Sequence, residues 1–359
     1  MNRSVLTRTA VSSIAGIAIA ALALAGCSSD NNNPGPSGST DPYASLSGSI
    51  AGSGSSFQNN FEQAAIDAFL AKATNADVTY ASKGSGTGKT EFGSNLTDFA
   101  GTDSLVKDSD GIAADSFYYI PLASAPITVS YNLSGVTGLK LSGTTLGSIF
   151  GRAIKNWNDP AIAQDNPGVT LPDKPIVVAH RSDGSGTTNR FTEYLTAAGG
   201  SGWTLGRGDS VAWPADTQAG AQNTGVAQII KQSDGAIGYV DYSDAVAAGL
   251  TFASIKNKNG EFVAPTLDGA TKAVAGGSVP ADLSFDPIDA TGAGVYPITA
   301  PTYILVRKTY GDAAKAALVK GYATFLLTDA QALAAGVNFA KLPDDLVQKA
   351  LTQINAVQS

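Results

Sequence analysis

The sequence predicts an α/β protein of two lobes joined by two crossover strands, and three observations carry that expectation. Strand-like runs end repeatedly in Gly/Ser/Thr turns that open helical patterns. Two similar β-branched and aromatic runs, at 118–131 and 295–306, bracket a block with strands and helices of its own. Hydrophobic residues make up 43% of the 359 residues, with Gly and Pro turns spread throughout, which fits a compact globular chain. A ligand cleft would lie between the lobes, at the carboxyl ends of strands where the small-residue turns sit. No repeat of fixed period is visible.

From the N-terminus, Arg3 and Arg8 precede an apolar run at 11–24 that ends in Leu24-Ala25-Gly26-Cys27. Residues 1–26 read as a bacterial export signal whose apolar run falls short of the roughly 20 residues of a membrane span. The closing tetrapeptide resembles a lipobox, which implies that Cys27 becomes the first mature residue and carries lipid on its sulfur and amino group. Cys27 is the only cysteine, so no disulfide forms within the chain. The mature protein is expected outside the cytoplasm, anchored to the cell membrane by acyl chains. Residues 27–47, the lipidated cysteine followed by a stretch rich in Asn, Pro, Gly, Ser and Asp, read as a flexible tether. About 310 residues follow, enough for two domains.

A short strand at 46–51 runs into Gly52-Ser53-Gly54-Ser55-Ser56-Phe57, and Phe57, Phe61, Ala65 and Phe69 then recur at helical spacing. Val78 to Ala81 form a second strand, entering the turn Lys83-Gly84-Ser85-Gly86-Thr87-Gly88-Lys89-Thr90. A P-loop would need Gly five residues before Gly88, where Lys83 stands. The P-loop is therefore rejected and a nest of backbone N–H groups able to hold an anion is kept. Asp103 follows the small apolar run Phe99-Ala100-Gly101-Thr102; a lone Asp there reads as a helix cap or surface acid. Ala236 to Val240 is a later strand, and 315–327 a later helix.

The most informative segment is Arg181-Ser182-Asp183-Gly184-Ser185-Gly186-Thr187-Thr188. The β-type run 175–179 leads in, and Phe191, Tyr194 and Leu195 lead out at i, i+3, i+4 spacing. A strand-to-helix turn offers unpaired N–H groups and the positive end of a helix dipole to an anion. Hydroxyls of Ser185, Thr187 and Thr188 add donors, and Arg181 adds a planar fork suited to a tetrahedral oxyanion.

The inventory excludes several chemistries. Loss of Arg3 and Arg8 with the signal takes the formal charge from −7 to −9, a poor match for nucleic acid. The overall field repels anions, so local dipoles must hold one. With one histidine and one cysteine, a His/Cys zinc site cannot be assembled, and no metal or cofactor is expected. A Ser-His-Asp triad would have to use His180, which sits at a strand end beside Arg181 and reads as half-exposed and structural; no GxSxG elbow surrounds it.

Taken in order, Gly52-Ser53-Gly54-Ser55-Ser56-Phe57, Gly84–Gly88, Asp98-Phe99-Ala100-Gly101-Thr102-Asp103, Trp157-Asn158-Asp159-Pro160, the 181–188 segment, Gly238-Tyr239-Val240 and Tyr296-Pro297-Ile298 resemble the phosphate-binding proteins of the high-affinity phosphate ABC transporter. The likeness runs from about residue 46 to the C-terminus. It implies the type II periplasmic-binding-protein fold, with 48–129 plus 296–359 as one lobe and 130–295 as the other. It implies phosphate contacts at the Ser56 hydroxyl and Phe57 N–H, at Ser85 and Asp103, and at Arg181, Ser185, Gly186 and Thr187. Ser56 stands where Thr is common, and Gly101-Thr102 where Ala-Ser is common. Asp183 would orient Arg181, and Asp103 would select an oxyanion that carries a proton. The implied partners are inorganic phosphate and the permease and ATPase subunits of the transporter; a monomer is expected. Competing readings are a phosphate-ester hydrolase and a binding or sensing lipoprotein for another oxyanion.

Overall fold

The computed structural model describes residues 41–359, one compact unit. Cys27 and the 1–26 signal lie outside the described residues. Twelve strands are present among them: β1 Ser47–Gly54, β2 Asn75–Ser82, β3 Phe99–Thr102, β4 Phe117–Asn132, β5 Lys140–Leu141, β6 Val177–Arg181, β7 Gln218–Gly220, β8 Ala236–Asp241, β9 Thr251–Phe252, β10 Ser254–Lys256, β11 Phe262–Val263 and β12 Thr299–Arg307. The α-helices are α1 Asn59–Leu70, α2 Ser85–Gly93, α3 Gly143–Phe150, α4 Pro160–Asp165, α5 Gly186–Ala198, α6 Gln222–Gln232, α7 Tyr242–Ala247, α8 Leu267–Ala275, α9 Ala313–Leu327 and α10 Asp344–Asn355. None of the described helices is long and apolar enough to cross a membrane.

One curled sheet runs β2-β1-β3-β12-β4-β8-β6-β7, with β9 also on β4. The first lobe holds the parallel strands β1, β2 and β3 with β12 antiparallel to β3; the second holds β8, β6 and β7, all parallel. β4 serves both. Its residues up to Pro126 pair β12, and from Ile127 onward they pair β8. The change of partner falls at a proline, whose missing N–H ends one ladder without leaving a donor stranded. The second crossover enters just before β12, where Tyr296 is fully buried and donates its hydroxyl to the Ile127 carbonyl (2.9 Å).

The helical faces explain the cores. Phe61, Ala65 and Phe69, one turn apart on α1, are wholly buried, and Phe69 meets Tyr322 and Phe325 of α9 edge-on. Tyr43 closes this cluster, 5.6 Å from the Phe69 ring and 5.4 Å from Phe325. The tether expected to reach residue 47 therefore gives way to packed chain by Tyr43. In the second lobe Phe150, Phe191 and Tyr239 form the corresponding aromatic centre. Not all of 130–295 sits with that lobe: Phe285 exchanges hydrogen bonds with the Tyr303 hydroxyl of β12 (3.2 and 3.0 Å).

Two details of the first lobe aim the site. Gly54 (φ +141°) and Gly88 let α2 press onto the strand ends; a Cβ on Gly88 would lie 2.5 Å from the Gly54 Cα. In the β12–β4 ladder, Thr302 pairs Ala123 but Tyr303 pairs Pro121, so Leu122 is an extra residue. Such a bulge re-aims neighbouring side chains, and here Thr302 is the residue that reaches Asp103.

Candidate functional site

The 181–188 segment links the end of β6 to α5. Ser185 is the N-cap, accepting the Thr188 N–H at 3.1 Å. The Gly186 and Thr187 N–H groups occupy the first helical positions, which have no carbonyl partner inside the helix. Arg181, its side chain almost fully buried, is held in a two-pronged pair by Asp183: Nε donates to Oδ1 at 2.8 Å and Nη2 to Oδ2. Burial acts to raise the Asp183 carboxyl, but the guanidinium and the Gln222 N–H outweigh it, so Asp183 titrates below its ordinary range.

Asp103 follows β3 and is 1% exposed. Its carboxylate lies in a nest of hydroxyls: Ser55 Oγ is 2.7 Å from both oxygens, Thr302 Oγ1 lies 2.7 Å from Oδ1 and shares its one proton between that oxygen and Gln58 Oε1 (2.5 Å), and Ser85 Oγ donates to Oδ2 at 3.4 Å. Burial pushes its pKa up to about 6, against the pull of Thr302 and Ser55 and of the Arg181 and Arg190 charges. The N-terminus of α5 faces this nest closely: a Cβ on Gly186 would lie 2.5 Å from Ser85 Oγ and 2.7 Å from Asp103 Oδ2. Only glycine lets the helix start approach both groups this closely.

The structure thus gathers Ser85, Asp103 and Gly186 directly, and joins Ser56 to Thr187 through Asn223, whose Nδ2 donates to both hydroxyls (3.1 and 3.2 Å). Phe57 differs from expectation: its N–H donates to Ser55 Oγ at 3.0 Å, because that hydroxyl sits beneath the turn. Thr188 differs too, its hydroxyl paired at 2.6 Å with the Tyr239 hydroxyl rather than free for a ligand. The 83–90 nest is the first turn of α2, and the Gly86 N–H is already given to the Gly184 carbonyl across the cleft (2.9 Å). His180 is buried rather than half-exposed, stacked on Trp213 (4.7 Å), with burial lowering its pKa despite a contact to the Arg181 carbonyl. Further ties cross between the lobes: Lys89 to Asp209 (2.8 Å), Arg190 Nε to the Asp103 carbonyl (2.7 Å) and Gln222 Nε2 to the Ser82 carbonyl (2.6 Å). Among the described residues no group of three or more His, Cys, Asp or Glu is placed to hold a metal.

With this geometry, comparison with known proteins is decisive. A family model described as a PBP superfamily domain matches residues 39–330. The chain is 33% identical over 364 residues to phosphate-binding protein PstS 3 of Mycobacterium leprae, covering 95% of this chain and 98% of that one. The chain belongs to the PstS phosphate-binding protein family. A PstS of Pasteurella multocida is 35% identical over 313 residues, covering 85% and 89% of the two chains. The fold of this PstS-family chain matches that of a phosphate-binding protein from Stenotrophomonas maltophilia with a TM-score of 0.67 at 22% identity, covering 85% and 93%.

Several polar residues of the site in this PstS-family chain are not singled out by the sequence: Thr302, Arg190 and Asn223 outside the quoted segments, and Ser55 and Tyr239 within them but without a role. Ser55 adjoins Ser56, and Arg190 with Glu193 three residues on puts a buried charge pair into α5. Thr302 and Asn223 lie in ordinary strand and helix-start contexts far along the chain.

Proposed function

We propose that this chain captures inorganic phosphate between its lobes outside the cytoplasm and delivers it to the permease and ATPase subunits of an ABC transporter, without catalysing a reaction. Ser56, Ser85, Asp103, Arg181, Ser185, Gly186 and Thr187 form the phosphate site, with Asp183 setting the Arg181 fork; the Phe57 N–H would join them only by leaving Ser55 Oγ. Lobe limits at 48–129 plus 296–359 and 130–295, with the chain around Phe285 packed on the first lobe, would put the hinge in β4 and in the run entering β12. A lipidated Cys27 would anchor a monomer to the membrane.

The observation that carries this reading is a buried carboxylate facing a helix N-terminus. Asp103 is an acceptor surrounded by donors, and a fully ionised oxyanion such as sulfate would meet it with repulsion. Hydrogen phosphate brings a proton that Asp103 accepts, while its other oxygens take the Arg181, Gly186 and Thr187 donors. The near-neutral Arg181–Asp183 pair supports binding by hydrogen bonds and dipoles in a chain of net negative charge. Calorimetric titration of phosphate-stripped protein lacking residues 1–27, with and without excess sulfate, tests it. One-to-one phosphate binding indifferent to sulfate is expected. Absence of phosphate binding sinks the proposal, and competition by sulfate removes the role given to Asp103.

A further inference from the structure

Asn223 is fully buried at the start of α6 and contacts both lobes. Its Nδ2 donates to Ser56 Oγ in the first lobe (3.1 Å) and to Thr187 Oγ1 in the second (3.2 Å). Its backbone N–H also points to Ser56 Oγ, at 3.4 Å. Neither hydroxyl donates to any described residue, whereas the Asn223 Oδ1 is buried without a partner. A hydroxyl has one proton and two lone pairs. Ser56 has both lone pairs facing N–H groups and Thr187 has one, so neither hydroxyl spends its proton on Asn223 and each keeps it for another acceptor.

The unpartnered oxygen is the second observation. Turning the amide over would let Oδ1 accept both hydroxyl protons and would remove the orphan acceptor. It would also leave Ser56 and Thr187 with no proton for a ligand. With Nδ2 assigned toward the two hydroxyls, one buried acceptor is left unmade, an unfavourable state, while Ser56 and Thr187 both keep their protons. We infer that Asn223 is a positioning and specificity residue: it forces the Ser56 and Thr187 hydroxyls to act as donors, so that the closed cleft accepts tetrahedral oxyanions through them. Because Ser56 and Thr187 come from opposite lobes, this donor pair is completed only when the lobes meet. The inference rests on the phosphate reading above and assigns to Asn223 no direct contact with the ligand.

The test is a set of phosphate titrations on the parent chain and its variants, with folding checked by circular dichroism and Tm. Asn223→Ala is expected to weaken phosphate binding by roughly 10-fold. In a Ser56→Ala/Thr187→Val background the same change should alter affinity less than about twofold, because nothing remains to be oriented. Equal losses in both backgrounds would show a structural role and overturn the inference. Should the alanine variant misfold, the near-isosteric Asn223→Asp keeps the question open to decision. Its carboxylate pulls both hydroxyl protons toward itself, so binding should fall by about 100-fold or more at pH 8 and recover on acidification as the carboxyl regains a donor. An Asn223→Asp chain that binds like the parent at pH 8 overturns the inference. Failure of the parent chain to bind phosphate overturns both this and the proposed function, whereas parent binding without coupling between the sites overturns this alone.

Discussion

The two sides of the cleft are opposites in hydrogen-bond character. The first lobe presents an acceptor, Asp103, already wrapped by Ser55, Ser85 and Thr302. The second presents donors: Arg181 restrained by Asp183, and the free N–H groups that open α5. A ligand that satisfies both sides must itself be donor and acceptor. Monohydrogen phosphate is both, and sulfate at neutral pH is acceptor only. Under the proposed function, the difference between the lobes assigns selectivity to one side and affinity to the other.

Breaking the acceptor side should produce the largest effect. Asp103→Asn is expected to erode discrimination against sulfate by a factor on the order of 10⁴, since rejection rests on an acceptor left facing an acceptor. Competition titrations read this directly, and a variant that still excludes sulfate as well as the parent refutes it. The same logic sets a pH dependence. With burial holding the Asp103 pKa near about 6, the ligand-free protein carries a carboxylate above that value and a neutral acid below it. Sulfate binding should then strengthen as pH falls from 8 to 5, and a flat profile would place the selectivity elsewhere.

Breaking the donor side comes next. Arg181→Met should weaken phosphate binding on the order of 10²–10³-fold, because it removes a charged donor and also strands the mostly buried Asp183 carboxylate. Adding Asp183→Asn to that variant should recover part of the loss; if it recovers none, Asp183 does no more than hold the loop. A smaller change sharpens the acceptor side. Thr302→Val keeps shape but deletes one donor to Asp103, which should cost about 10-fold in affinity and raise the midpoint of the sulfate pH profile above that of the parent. An unchanged midpoint would mean that Thr302 does not tune the carboxyl.

The smallest effect separates the site from its foundation. Glu62, wholly buried in the first lobe, is joined to Asp103 through Gln58 and Thr302, and Tyr322 donates to its other oxygen (2.5 Å). Burial raises its pKa to about 7, opposed by those two hydrogen bonds. Its contribution to stability is full below the unfolded value near 4.5 and is lost as pH rises through about 7. The Tm of Glu62→Gln should fall less between pH 5 and 8 than that of the parent, by about 3 °C, with phosphate affinity within twofold. Equal Tm losses would remove Glu62 as a source of the pH dependence.

Local pattern reveals much of the fold because strands, turns and helix starts are made by neighbours in sequence. The 181–188 segment shows this: a β run, small residues and an amphipathic exit necessarily produce a helix N-terminus. The same holds for the periodic Phe61, Ala65 and Phe69 of α1. The anchoring of Tyr43 is not legible locally, because burial of that ring depends on Phe69 and on Phe325, the latter near the other end of the chain. Thr302 is hidden for a similar reason: its aim depends on a bulge against β4 that no local residue announces.

Short-range pattern is enough to locate the exposed backbone N–H groups and the guanidinium beside them, and to show that residues 11–27 resemble an export and lipidation signal. Contacts across the fold set which way each hydroxyl turns: Thr188 to Tyr239, Ser55 to Asp103, Thr302 between Asp103 and Gln58, Ser56 and Thr187 to accept from Asn223. The physical reason is that backbone direction is set by torsions and caps within a few residues, whereas a hydroxyl can give or take. Its choice is made by the partner it meets across the fold.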